Sequence, residues 1–296
     1  MRYLQHHDID VAKWDACIHN ASNGLIYGYS FYLDHMSRHW DALVLGDYEA
    51  VMPLTWDSKY GVRYLYQPPF VASGGIFGNN IDENIVAQFM QAIPSRFRLI
   101  DINLNAGNPM PDARLRQNFV LGLHQNYEQI FNGYRQNIKR NIKKAREAGC
   151  TVQTGIAVEK IIEIARSQLE TVTKVSEQEW KKFERLCDLL LQKKQALTYG
   201  ILSPSNELLA SAVFFFSHRR AYYILVGNHP NGKTLGASHY LIDRFIADHA
   251  GNDLILDFEG SDIRSLAFFY SSFGAVTETY PYIMINRLPV LLRWLK

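Results

Sequence analysis

The sequence predicts an α/β (α+β) fold of two tandem lobes, each a mixed, mostly antiparallel sheet flanked by helices. Short β-favouring runs alternate with helical patterns along the chain. The same order of elements, helices, three strands, a helix and a strand, occurs twice. A length of 296 residues suits two modest domains. We therefore expect an N-terminal lobe over residues 1–125 and a C-terminal lobe over residues 126–296.

In the first half, apolar residues recur at helical spacing in two segments before the pattern changes to short strands separated by turns. A Pro/Gly-rich segment, a helix and a strand follow. The predicted helices cover residues 10–20, 30–39 and 83–93, and the predicted strands cover residues 41–45, 48–56, 62–66 and 99–104.

The second half repeats this order, again with helix-rich segments first. Here the predicted helices cover residues 129–148, 237–249 and 268–273, with helix-rich sequence over 159–195. The predicted strands cover residues 197–202, 208–217, 221–227 and 254–258, and residues 228–236 are predicted to form a loop.

Composition excludes several classes of protein. Lys and Arg number 31 against 29 Asp and Glu, which leaves no room for a polybasic or acidic tail. The longest apolar run, over residues 208–216, is too short to span a membrane, and the N-terminus lacks the apolar stretch of a signal peptide. The three widely spaced cysteines contain no CxxC pair. We expect a cytoplasmic protein with no membrane span, disulfide framework or metal site.

Three segments carry residues suited to chemistry. Residues 231–238 combine Gly, Lys and Thr before a helix, where backbone N–H groups attract anions, although the segment is not a Walker A loop and an ordinary turn is the alternative. Asp257 and Glu259 end an apolar strand, and period two places them on one face, where they suit a general base or a helix cap. The basic segment 134–149 forms a predicted helix with a cationic stripe and an apolar side, and it suits either a phosphate-bearing substrate or solvent. The stripe comprises Arg135, Lys139, Lys143 and Arg146.

The segments YRQNIKRNIKKAREAG, DFEGSD and FFYSSFGA resemble the Fem-type acyltransferases, which belong to the GNAT-type N-acyltransferase superfamily. The resemblance covers nearly the whole chain in order of elements, but its motifs lie within residues 134–149 and 254–275. It implies two GNAT-like lobes and transfer of an acyl group to an amine. The lysine of the peptidoglycan enzymes' FKxxFG segment is replaced by Tyr270, which disfavours aminoacyl-tRNA as the donor.

The resemblance also implies roles for particular residues. Tyr270 matches the tyrosine of the GNAT Y-x-x-x-G segment, which protonates the leaving thiolate. Asp257 or Glu259 would take the proton of the amine, and backbone N–H groups near Val226 and Gly227 would stabilise the oxyanion. The segment that resembles a degraded acyl-CoA pyrophosphate loop comprises Lys233, Thr234, Gly236, Ala237 and Ser238.

We therefore expect an acyl-CoA-dependent N-acyltransferase whose acceptor is a small-molecule amine or a cell-envelope precursor. One alternative is a Fem-type peptidoglycan aminoacyltransferase that uses aminoacyl-tRNA and binds it through the basic stripe. A second alternative is a catalytically inactive binding or scaffold protein of the same fold.

Overall fold

A computed structural model describes residues 1–169, 175–260 and 262–288. The chain divides into two compact units, Met1–Arg116 with Thr279–Lys296, and Gln117–Glu278. Residues 117–125, which the predicted division gives to the first lobe, belong to the second unit, and the chain returns to the first unit at Thr279.

The described residues of the first unit form a sheet and three α-helices. The order of strands in the sheet is β1-β2-β3-β4-β6 followed by residues 282–286 of β13, with β5 beside β3. Strands β4 and β6 pair in parallel. Asp10 and Asp82 cap the starts of α1 and α3 by accepting backbone N–H groups three residues on. The elements are β1 (Arg2–Leu4), α1 (Val11–Asn20), α2 (Ser30–Met36), β2 (His39–Leu45), β3 (Ala50–Lys59), β4 (Val62–Tyr66), β5 (Phe77–Gly78), α3 (Glu83–Ala92) and β6 (Phe97–Asn103).

The second unit contains the sheet that carries the predicted site. Its strands follow the order β7-β12-β11-β10-β9-β8, in which β11 and β12 are parallel and the other neighbouring pairs are antiparallel. Strand β7 begins in the first unit and continues into this one, and strand β13 begins in this unit and continues into the first. The elements are β7 (Arg114–Gly122), α4 (Tyr127–Asn132), α5 (Gln136–Glu147), β8 (Thr151–Thr154), α6 (Val158–Leu169), α7 (Glu177–Gln192), β9 (Ala196–Leu202), β10 (Leu208–Ser217), β11 (Arg220–Asn228), α8 (Pro230–Leu235), α9 (Ala237–His249), β12 (Ile255–Asp257), α10 (Arg264–Ser271) and β13 (Val276–Asn286).

The core of the second unit lies between its sheet and helices α5 and α9. Ile138, Ile142 and Ala145 form the buried side of α5, as helical spacing predicts. On α9, Leu241 and Phe245 are fully buried in the same cluster. The sheet and these helices therefore fix the ends of β11 and β12.

The predicted fold class is confirmed, and predicted strands 62–66 and 208–217 and helix 237–249 match β4, β10 and α9 residue for residue. The loop predicted over 228–236 is wrong, because Pro230 occupies the first helical position of α8 and His229 caps it. The pattern missed β1, β5, β7, β8 and β13. The middle of the predicted 159–195 region, residues 170–174, lies outside the described residues.

Candidate functional site

The parallel strands β11 and β12 separate at the predicted site. Their pairing runs from Arg220 opposite Ile255 to Tyr222 opposite Asp257, where β12 ends. Strand β11 continues to residue 228 and contains a bulge at Ile224, where its register with β10 shifts. Bulges often lie beside active sites, since they redirect the strand and its side chains. Beyond Tyr222, β11 has therefore lost its partner on the β12 side.

Alternation along β11 directs the backbone N–H groups of Val226 and Gly227 to opposite sides of the strand. The N–H of His229 donates to the carbonyl of Leu209 on β10 at 2.9 Å. Because hydrogen-bonding groups alternate along a strand, Gly227, two residues earlier, also directs its N–H toward β10, where it lies opposite Ser211. The prediction of Gly227 as an oxyanion donor is therefore corrected, and the N–H of Val226 is the one that faces the open edge.

Next along this edge, a side-chain amide pairs with the backbone of Asn228. The Asn228 N–H donates to Oε1 of Gln168 at 3.2 Å, and the Gln168 Nε2 donates to the Asn228 carbonyl. The hydroxyl of Ser238 also donates to the side chain of Asn228. The edge of β11 at Asn228 therefore pairs with a side-chain amide.

Asp257 and Glu259 do not share a strand face, so that prediction is wrong. Strand β12 ends at Asp257, and Glu259 has a left-handed backbone with φ +67°. Non-glycine residues rarely adopt this conformation, which is strained and concentrates at functional sites. Oδ1 of Asp257 accepts the N–H of Glu259 at 2.8 Å, so the first carboxylate fixes the turn that carries the second.

Asp257 belongs to a partly buried ionic network that the sequence pattern did not indicate. Arg220 donates to Oδ2 of Asp257 at 2.6 Å and to both carboxylate oxygens of Glu278 at 2.9 Å. Asn118 donates to Asp257 at 2.9 Å and to Glu278 at 3.3 Å. Burial raises the pKa of Asp257, and the charge and hydrogen bond of Arg220 oppose that rise. Every oxygen of this carboxylate thus has a donor within the protein.

Tyr270 lies on α10 next to this turn. Its ring stacks on Phe258 at a centroid distance of 4.6 Å and an interplanar angle of 22°. Burial, together with the nearby charge of Glu259, raises the pKa of Tyr270 to about 12. Its hydroxyl therefore stays protonated at neutral pH and suits a proton donor.

The predicted anion loop is a junction between two helices. Lys233 and Thr234 are exposed on α8, whereas Gly236 and Ala237 are buried. Gly236 ends α8 with a left-handed φ of +76°, and a Cβ there would lie 2.7 Å from the backbone carbonyl of Asn141 on α5. Only glycine therefore fits at the point where α5 meets α8 and α9.

Each member of the basic stripe contacts another group of the protein. Arg135 lies 4.8 Å above the ring of Phe268, and Lys139 donates to the carbonyl of Asn132 at 3.2 Å. Lys143 pairs with Glu147 at 3.6 Å.

At the end of the stripe, Arg146 pairs with the fully buried Asp243 at 3.0 Å, and Asp243 also accepts the hydroxyl of Tyr127 at 2.8 Å. Asp243 was not predicted, since its acidic side chain lies within an otherwise ordinary helical pattern.

Residues 132–262, from the end of α4 to the turn after β12, match the acetyltransferase (GNAT) domain family. FemX, a solved structure, superposes with a TM-score of 0.66 at 12% identity and 99% coverage of both chains. Residues 132–262 form a GNAT-type domain, and the chain has a Fem-like fold. The matched segment contains Asp257 and Glu259 and ends before Tyr270.

Two further solved structures resemble this chain. The C-terminal domain of a putative lysylphosphatidylglycerol synthetase from Agrobacterium fabrum has a TM-score of 0.57 at 11% identity, covering 94% of this chain and 92% of that one. L-PGS from Bacillus licheniformis has a TM-score of 0.52 at 10% identity, covering 95% and 93%. No curated protein matches the sequence. At these identities the structures show a shared fold, and the GNAT domain supports acyl transfer in general.

Within residues 1–169, 175–260 and 262–288, no helix has the length and apolarity needed to cross a bilayer. Over the same residues, His, Cys, Asp and Glu form no group of three or more that could hold a metal ion.

Proposed function

We propose that this protein transfers an acyl group from an acyl-CoA thioester to an amine acceptor. One observation carries the proposal: Tyr270 stacks on Phe258, the neighbour of Glu259, just after the end of β12, where β11 loses its parallel partner. A carboxylate and a protonated phenol at that point are the base and the acid that aminolysis of a thioester needs.

In the proposed reaction the neutral amine attacks the thioester carbonyl, and its nitrogen forms a bond to the carbonyl carbon. The carboxylate of Glu259 takes the proton released by that nitrogen. The N–H of Val226 donates to the oxyanion, a contribution of about 3 kcal/mol. When the carbon–sulfur bond breaks, Tyr270 gives its proton to the thiolate, and the proton held by Glu259 replaces it.

Asp257 has a different place in this proposal. Both of its oxygens accept hydrogen bonds from the protein, so it is a poor base for an incoming amine. We keep Glu259 as the base.

Donor binding follows from the open edge of β11. The pantetheine arm of CoA carries amides, and the Gln168 amide already pairs with this edge at Asn228. We assign the pyrophosphate to the exposed side of the α8–α9 junction, next to Lys233 and Thr234, with the neighbouring positions Gly236, Ala237 and Ser238. Arg135, Lys139 and Lys143 are assigned to an anionic group of the acceptor.

We propose that the acceptor is a small amine or a cell-envelope precursor met in the cytoplasm. The fold shared with FemX and with a putative lysylphosphatidylglycerol synthetase supports a cell-envelope acceptor.

The first test is calorimetry with CoA and acetyl-CoA, supported by thermal melting. Ligand at about 100 times its dissociation constant should stabilise the fold by about 2.7 kcal/mol. Absence of any binding by both ligands would reject the acyl-CoA donor. Retention of charged tRNA that weakens steeply with salt would then favour the aminoacyl-tRNA alternative, and absence of both would favour a binding protein without catalysis.

A second test separates the two neighbouring backbone amides. Val226→Pro removes an N–H on the open edge, where proline is tolerated in a strand. We expect kcat to fall by about 10²–10³-fold while the fold is retained. Gly227→Pro is the matched control, because it removes an N–H from the β10–β11 ladder and should destabilise the protein. Unchanged turnover in Val226→Pro would remove this residue from the oxyanion site.

A further inference from the structure

The ionic network around Asp257 has two arms, which contact different residues. One arm runs from Arg220 through Asp257 to the backbone N–H of Glu259, with contacts of 2.6 and 2.8 Å. The other arm joins Arg220 to Glu278 through two contacts of 2.9 Å. Only the first arm contacts the turn that carries the proposed base, so the two arms can be separated by substitution.

The backbone conformation of the turn after β12 requires stabilising contacts from other residues. Glu259 and Gly260 are both left-handed, with φ +67° and +80°. The glycine adopts this conformation without cost, whereas the glutamate does not. The hydrogen bond from the Glu259 N–H to Asp257 is a contact that fixes the glutamate backbone in this turn.

Asp257 can stabilise the turn because residues of the neighbouring strands fix the position of Asp257 itself. Asp257 lies opposite Tyr222 on β11 and Val120 on β7. Arg220 and Asn118 lie two residues from these partners on the same strands, and period two places all three polar side chains on one face. Asp257 is 4% exposed, so water does not compete for its oxygens.

We propose that Arg220 and Asp257 are positioning residues for the proposed base. Arg220 fixes the carboxylate of Asp257, and that carboxylate holds the amide of Glu259 so that the glutamate side chain stays near Tyr270. This role, which rests on the proposed function of Glu259, requires no contact between Arg220 or Asp257 and either substrate.

The kinetic test compares Asp257→Ala, Asp257→Asn and Glu278→Gln. Asp257→Ala removes the acceptor of the Glu259 N–H, so kcat should fall by about tenfold or more while KM for the donor changes little. Asp257→Asn keeps one carbonyl acceptor for the Glu259 N–H but turns an NH2 group toward Arg220, so it should recover part of kcat. Glu278→Gln removes a carboxylate from the same guanidinium without touching the turn. Equal losses of kcat in Asp257→Ala and Glu278→Gln would overturn the positioning role.

Hydrogen exchange tests the same contact without activity. The Glu259 amide should exchange about tenfold faster in Asp257→Ala and at the wild-type rate in Glu278→Gln. Unchanged exchange in Asp257→Ala would overturn the inference. If exchange responds as expected but the wild type transfers no acyl group, the proposed function is wrong, whereas the stabilisation of the turn by Asp257 is supported. Should Asp257→Ala fail to fold, Arg220→Lys replaces it, because loss of the guanidinium fork should also speed exchange at Glu259.

Discussion

The left-handed backbone of Glu259 predicts a stability difference between two substitutions at one position. Glu259→Ala keeps a Cβ and therefore keeps the strain, about 1–2 kcal/mol for a non-glycine residue. Glu259→Gly removes that strain but adds about 0.5–1 kcal/mol of backbone entropy to the unfolded state. The difference leaves Glu259→Gly more stable than Glu259→Ala by about 0.5–1 kcal/mol.

The comparison is made by thermal melting and by urea unfolding at neutral pH. A difference of about 1 kcal/mol corresponds to about 2–4 °C in Tm for a domain of this size. The urea midpoints should differ while the slopes agree, since neither substitution changes the surface exposed on unfolding. A Glu259→Gly variant that is no more stable than Glu259→Ala would refute the assignment of left-handed strain to this residue.

The same two variants separate stability from catalysis. Both lack the carboxylate of Glu259, so both should lose acyl transfer although their stabilities differ. Glu259→Gln keeps the size of the side chain and should be equally inactive if the carboxylate is the base. Full activity in Glu259→Gly would show that the base is another group.

Burial lowers the pKa of His239 to about 4. Above pH 6.5 this histidine is neutral in both the folded and the unfolded state. As the pH falls from 6.5 toward 4 only the unfolded state takes up the proton, so the free energy of unfolding decreases. Urea unfolding should therefore show wild type losing more stability than His239→Gln between pH 7.5 and 5, and parallel losses would contradict the buried neutral histidine. Tyr270→Phe should lower kcat by about 10²-fold or more and leave donor binding intact. A decline of wild-type kcat between pH 8 and 10 that Tyr270→Phe lacks would contradict the raised pKa of this tyrosine. Lys144→Gln should weaken CoA binding in calorimetry, because helical spacing places Lys144 one turn after Asn141 beside the α8–α9 junction. Lys143→Gln should raise KM for the acceptor instead, and the reverse pattern would refute this division.

Local patterns were enough to predict most elements, because the relevant signals lie within a few residues of each other. Asp82 marks the start of α3 through its own side chain, and the apolar run of β10 is buried on both sides. Strand β7 escaped prediction because its sequence mixes charged and apolar residues. Its conformation comes from pairing with β12, which lies more than 100 residues later in the sequence.

The candidate site was predictable in its residue types and not in its contacts. Glu259 and Tyr270 stand in recognisable segments, whereas the partners of Asp257 come from strands β7 and β11. One signal was available in the sequence: Arg220 begins an otherwise apolar strand, and a charge at such a position needs a buried partner. Which carboxylate it meets depends on sheet register, which a single sequence does not specify.

The two anion-binding signals of the sequence lie on opposite sides of helix α5. Asn141 abuts Gly236 at the α8–α9 junction, and Arg146 reaches Asp243 farther along α9. At 100° per residue, the stripe that ends at Arg146 runs along the flank of α5 away from Asn141. The stripe and the junction are therefore two different surfaces. A transferase must hold a donor and an acceptor at the same time, and two separate cationic surfaces on one rigid helix suit two substrates better than a single long polyanion.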